Sequence, residues 1–290
     1  MNQETDTMSW RKAFAPRHLA DTLLTGYLPL LIAFLIIVLP LAWMVSSSFK
    51  PPAEIITADP TVLPQDPTLD NYSTVADRVP LLTVLRNSVI VTAIGAAIKV
   101  ILAITTAYAL VFIRVPGANL IFLGMLVALM VPPEVSMLPN YLTITSLGGR
   151  DTLWGIILPG LGTAFGTFLL RQNFKALPKE LFEAAELDGA GHLRKLVQIA
   201  VPVSLPAIAT VTLVTVVNEW NNFLWPLIIV DTPEKMTLPV GLNLLQSIEN
   251  SPGSYGILMA GAVLVIVPML LIFAALQRYI VAGLTQGAVK

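Results

Sequence analysis

The chain has 290 residues, of which 55% are hydrophobic and only 12% charged, with a formal net charge of −1 and no cysteine. A soluble domain carries roughly 25% charged residues, and to fold as one this chain would need six buried helices almost without polar faces. The missing cysteines exclude disulfides, thiol chemistry and cysteine-ligated metals.

Residues 1–22 read as a solvated tail. Thr22–Phe49 then holds no charged residue, and neither do Val115–Pro133, Thr152–Leu170 and Asn250–Gln277. Asn87–Ile113 is interrupted only by Lys99, and Ala200–Val230 only by Glu219. A helix needs about 20 apolar residues to cross a bilayer. The sequence therefore predicts an all-α polytopic membrane protein with six spans, near 23–47, 87–112, 119–141, 153–171, 203–228 and 256–277. The first span is expected to be retained, because it is longer than the roughly 7–15 apolar residues of a signal peptide. Its expected location is a membrane.

Lysine and arginine set the orientation. With the N-terminus inside, Arg11, Lys12, Arg17, Arg114, Arg171, Lys175, Lys179, Arg194, Lys195, Arg278 and Lys290 are cytoplasmic. Only Lys50, Arg78, Arg86, Arg150 and Lys235 are outside. That bias predicts both termini in the cytoplasm, and it puts the loop 172–202 there too.

Within that loop, charged and small residues crowd around a glycine break. Pro178 suits a helix start, and Glu180 and Glu183 sit near the positive end of its dipole. Ala184 and Ala185 present a smooth surface for another protein. Gly189 and Gly191 permit a sharp turn through positive φ, before a second short helix at 192–200. Composition alone equally allows an amphipathic loop resting on lipid headgroups.

The spacing favours docking. Glu183-Ala184-Ala185, then Gly189, Ile199 and Val201-Pro202 resemble the EAA signature of ABC-importer permeases, departing from it at Val201, where that family usually has leucine. Leu169-Leu170-Arg171-Gln172, the run Trp220–Leu227 and the run Gln277–Leu284 are similar to the carbohydrate-type, MalG-like permeases, and the likeness covers most of the chain. It implies a type I importer permease fold and a non-catalytic subunit, whose partners are a second homologous permease, two ATPase subunits, an extracytoplasmic solute-binding protein and the bilayer, with no nucleic acid. It implies a bacterial plasma (inner) membrane location and no cofactor on this chain, ATP and Mg being held by the ATPases. Consistently, the sequence has no GxxxxGK[ST] phosphate loop. It further implies that Glu183, Ala184, Ala185, Asp188 and Gly189 contact the ATPase, and that the tail 283–290, with Gln286 and Gly287, reaches it as well.

Three charges lie within spans, where they are costly and usually face the bundle interior. Lys99 and Glu134 are each about 20 Å from the inner end of their spans at 1.5 Å per residue. Equal depth on consecutive antiparallel helices predicts a Lys99–Glu134 ion pair, or a direct role for both in the solute pathway. Glu219 is the third, flanked by Asn218 and Asn222, and this group is expected to face the bundle or a cavity, with Trp220 and Trp225 in packing or at the membrane interface. Pro133 should kink or end its span.

Val131-Pro132-Pro133-Glu134-Val135 has glutamate where many sugar permeases of this group have glutamine. With Lys99, this resembles the Ugp-type permeases and implies glycerol-3-phosphate or glycerophosphodiesters as solute. A neutral sugar, oligosaccharide or polyol is the alternative. A secondary transporter should show inverted repeats, and none is evident. A membrane enzyme should cluster catalytic groups, yet His18 and His192 stand without an evident partner and read as surface residues. No metal site is expected.

Overall fold

The computed structural model describes residues 22–55, 57, 61–248 and 254–286. Among these, every regular element is helical. The chain divides into two compact units, residues 1–72 with 250–263, and residues 73–249 with 264–290.

The first unit contains α1 (Leu28–Ser48), a 21-residue helix with no buried side chain before Ser47 and Ser48 at its end. An apolar helix with no buried face suits lipid or another subunit rather than water. Its end is tied down by the start of α2 (Asp70–Arg78). Asn71 donates to the carbonyls of Ser48 and Lys50 at 2.9 and 2.8 Å, and the hydroxyls of Ser48 and Tyr72 lie 2.8 Å apart. Lys50 is buried over the Trp43 ring, 4.6 Å from its centroid.

The second unit is organised by α3 (Leu81–Phe112), which at 32 residues is about 48 Å long at 1.5 Å per residue. Its buried stripe includes Val84, Ser88, Val91, Gly95, Ala96, Ala103 and Ala107, mostly small residues at helical spacing. Small side chains let neighbouring backbones approach closely, which is how helices associate in lipid. Against it lie α7 (Ala164–Lys175) and α10 (Leu205–Trp220). Leu170 and Phe174 of α7 and Ile208 and Val211 of α10 complete the core with Ala103 and Ala107.

The predicted spans three to five are all broken. α4 (Ala118–Leu129) is followed by a tight turn at Pro133–Ser136 and by α5 (Met137–Ser146), with a 96° bend. Pro133, lacking an N–H, stands at that break as expected. α6 (Leu153–Ile157), extended by a turn to Gly160, meets α7 at 48°. Thr163 starts α7 by accepting the Gly166 N–H at 3.2 Å. The helical stretch 192–203 meets α10 at 82° across Ser204. Span five does not continue to 228. α10 ends at Trp220, and α11 (Leu224–Ile229) follows separately.

Among the described residues, three single helices, Leu24–Ser48, Leu81–Phe112 and Tyr255–Ala275, are long and apolar enough to cross a membrane. The three bent pairs bring the number to six when each counts as one crossing. The last helix, α12 (Tyr255–Gln286), runs beyond the predicted limit of 277 and takes in the first residues of the predicted tail.

Candidate functional site: a charged cavity and a helical hairpin

Lys99 does not pair with Glu134. Its ammonium meets the Glu219 carboxylate instead, joining α3 to α10. Equal depth would need span three to run straight to Glu134, but the chain bends 96° before it, and Glu134 stays exposed on the turn Pro133–Ser136. The small-residue stripe of α3 brings α10 close enough for Glu219 to reach Lys99. Gly95 is part of that fit: a Cβ there would lie 2.9 Å from Glu219 Oε2.

The pair borders a cavity of about 580 Å³, whose lining includes Pro133, Ser136, Asn140, Gly160, Asn222 and Trp225. Lys99 and Glu219 are its two charged lining residues. Three breaks between α-helices meet this cavity: Val131 and Pro133 from the first, Pro159 and Gly160 beside the second, and Asn222 from the gap between α10 and α11. Irregular backbone at membrane depth is tolerated only where protein buries it or a watery cavity solvates it. Interrupted helices therefore build this cavity.

Asn218 is exposed and does not line the cavity, whereas Asn222 and Glu219 do. Their expected common face required one helix through 222, and α10 stops at Trp220. Trp220 is buried and donates to the Val265 carbonyl at 3.1 Å. Trp225, also buried, has its indole N–H 3.1 Å from the carbonyl oxygens of both Gly155 and Ile156. Both tryptophans act in packing, and Trp225 also walls the cavity. Ser136 and Asn140 were missed in the sequence, because neither is charged and nothing local marks their side of the chain.

The loop 172–202 forms a compact hairpin of helices. α8 (Lys179–Leu187) buries Phe182 and Ala185 and exposes Glu183, Ala184 and Leu187. Ala185 is thus an inward packing residue, not part of a smooth outer surface. After Asp188, Gly189 adopts φ +73°, its N–H bonding the Glu186 carbonyl at 3.0 Å while the Ala190 N–H bonds that of Ala185 at 2.9 Å. This paired closure of a helix end uses the left-handed conformation that glycine takes without strain. Gly191, with φ −69°, needs no such freedom. α9 (His192–Lys195) returns alongside, with Lys195 3.4 Å from Glu186. Leu187 and Leu193, 91% and 75% exposed, flank the acidic tip.

Phe182 stacks on Phe112 at the end of α3, with centroids 4.1 Å apart and planes at 25°. His192 approaches Tyr108 of α3, Nδ1 to hydroxyl, at 3.4 Å. Neither aromatic contact was legible in the sequence, since both join distant segments. Arg171 of α7 is buried over the Phe122 ring of α4, 3.8 Å from its centroid, and donates to Asn119 at 3.2 Å.

At the opposite end of the unit, Asp151 takes φ +55° and accepts the N–H groups of Asp231 and Thr232 at 3.1 and 3.0 Å. Arg150 forms a forked pair with Asp231 at 2.8 and 3.1 Å, which raises its pKa. Burial pushes the Asp151 carboxyl up, but the bonds from Thr232 and Asp231 outweigh it and hold it below the usual aspartate value. Among the described residues no group of three His, Asp or Glu could hold a metal. Gln286 is the last residue of α12, while His18 and Gly287 lie outside the described residues.

Comparison with known proteins adds to this geometry. Residues 99–286 match the family described as "Binding-protein-dependent transport system inner membrane component". The arabinooligosaccharides transport system permease protein AraQ of Halalkalibacterium halodurans is 36% identical over 263 residues, covering 89% of this chain and 93% of that protein. The sn-glycerol-3-phosphate transport system permease protein UgpE of Brucella suis is 33% identical over 270 residues, covering 91% and 96%. Among solved structures, a bacterial ABC transporter involved in the import of the acidic polysaccharide alginate superposes with a TM-score of 0.78 at 25% identity, covering 90% of this chain and 97% of that one. The match to residues 99–286 and these long alignments make the chain a member of the binding-protein-dependent transport system inner membrane component family.

Proposed function

We propose that the chain is one of two membrane-spanning subunits of an ATP-driven importer and contributes half of its translocation pathway. A second homologous permease, two cytoplasmic ATPase subunits and an extracytoplasmic solute-binding protein complete the machine. Both termini and the segment 172–202 face the cytoplasm. The observation that carries this reading is the cavity where three helix breaks surround the Lys99–Glu219 pair. The chain acts without cofactor or catalysis of its own, ATP and Mg being bound by the ATPases. Glu183, Ala184, Leu187 and Asp188 dock on the ATPase, Gly189 shapes the turn that presents them, and Gln286 and Gly287 reach the ATPase from the tail.

The solute is rich in hydroxyl groups. Glycerol-3-phosphate or glycerophosphodiesters are supported by Lys99, by Glu134 and by relatives named UgpE. A neutral sugar, oligosaccharide or polyol is supported by relatives named AraQ and by one specific contact. Glu219 already compensates Lys99, so among the described residues the lining offers no spare cation for a phosphate, only amide and hydroxyl groups and an indole. That contact favours the neutral solute. Reconstituted complexes should take up labelled arabinooligosaccharides in an ATP-dependent way, with little competition from glycerol-3-phosphate. Uptake of glycerol-3-phosphate alone would reverse the choice, and uptake that ignores ATP would end the importer reading.

A further inference from the structure

We infer that Phe182 is a positioning residue: its stack on Phe112 welds the docking segment to α3, so that displacement of that segment is carried along α3 to the Lys99–Glu219 cavity. This rests on the proposed docking of the segment 172–202. Phe182 is 7% exposed and belongs to the same buried cluster as Ala103, Ala107, Leu170, Phe174 and Ile208. Phe112 also meets Tyr108 and Phe174, at centroid distances of 5.0 and 6.2 Å, so the stack is braced on α3 and α7 together. Tyr108, one turn earlier, holds His192 on the returning helix. Both arms of the docking hairpin thus grip the same end of α3.

Lys99 lies 13 residues before Phe112 on that uninterrupted helix, about 20 Å away at 1.5 Å per residue. Its partner Glu219 lies on α10, which continues from the same hairpin but across the 82° bend at Ser204. The hairpin therefore connects to the two ends of the ion pair differently. Toward Lys99 the link is a straight helix gripped by aromatic rings; toward Glu219 it passes through a bend. A push on the hairpin reaches Lys99 directly, so the aromatic grip determines how faithfully docking moves the cavity wall.

The test uses the complete importer reconstituted in lipid. Phe182→Ala should lower solute uptake per ATP hydrolysed about three- to tenfold, the size set by one aromatic contact, while assembly and basal ATP hydrolysis stay at wild-type level and Phe182→Tyr restores the ratio. Because the chain has no cysteine, spin labels can be placed through Val197→Cys and Ile101→Cys, both exposed positions. The inter-label distance should stay narrow through the ATP cycle with Phe182 and broaden with Phe182→Ala. Should Phe182→Ala fail to assemble, Phe182→Leu carries the same two readouts. A wild-type uptake ratio with an unbroadened distance overturns the inference. Glu183→Arg combined with Leu187→Glu separates the levels. Release of the ATPase by that pair beside wild-type behaviour of Phe182→Ala defeats only the transmission, whereas intact binding and uptake in that pair defeat the docking itself.

Discussion

Lys99 and Glu219, 120 residues apart in the chain, form an ion pair between α3 and α10 at the wall of a cavity of about 580 Å³. The Lys99 and Glu219 side chains keep only 15% and 9% exposure. Removing one partner of a buried pair leaves an uncompensated charge and costs about 3–5 kcal/mol, whereas replacing both by apolar residues is often neutral. Lys99→Met and Glu219→Leu should each lower the melting temperature in detergent, by less than the full figure because water reaches the cavity. The double variant should recover most of that loss. Additive losses would mean that the two charges do not interact.

Gly95 and Gly160 leave room for the pair. A Cβ at 95 would meet Glu219 Oε2 at 2.9 Å, and one at 160 would meet Lys99 Nζ at 3.1 Å. The first contact presses on a short carboxylate, the second on the far end of a flexible side chain. Gly95→Ala should therefore impair uptake and stability more than Gly160→Ala. Equal, negligible effects would show that the pair has slack.

Gly189 occupies φ +73°, a conformation that costs other residues about 1–2 kcal/mol. Gly189→Val should distort the turn after α8 without disturbing the buried stripe of α3. Glu183→Ala removes an exposed carboxylate and no packing. Both variants should insert and melt near normally yet lose binding-protein-stimulated ATP hydrolysis and uptake. Full activity in both would mean that this hairpin does not dock on the ATPase.

The Asp151 junction gives a pH dependence. Its carboxyl is held below the usual value by the bonds from Thr232 and Asp231. A depressed carboxyl pKa contributes stability above the unfolded value, and that contribution disappears as pH falls through the folded value. The ordinary value is 3.8, so the junction should hold from neutral pH down to that region and loosen below it. Amide exchange at 229–232 should accelerate on acidification in the wild type, and already be fast at neutral pH in Asp151→Asn. Exchange that is slow at neutral pH in this variant would show that the carboxylate charge is not what closes the junction.

What the sequence determined by itself was everything that depends on local composition and spacing. Charge-free runs of membrane length, the two prolines at 132 and 133, and a glycine after Glu183-Ala184-Ala185 each act within a few residues of themselves. The apolar helical character of the chain, the break at Pro133 and the turn at Gly189 were readable for that reason. What only the tertiary structure decided was partnership. Lys99 took Glu219 rather than Glu134 because a bend in one span and a stripe of small residues on another outweighed nearness in sequence. Asn218 and Asn222 parted because α10 stops between them. Phe182, unremarkable among apolar neighbours, became a contact between the hairpin 172–202 and α3. In a chain apolar on nearly every face, hydrophobic periodicity does not say which side turns inward, since lipid and protein interior reward the same residues. Orientation there is set by close backbone approach and by the pairing of the few buried charges, and both are properties of two helices at once.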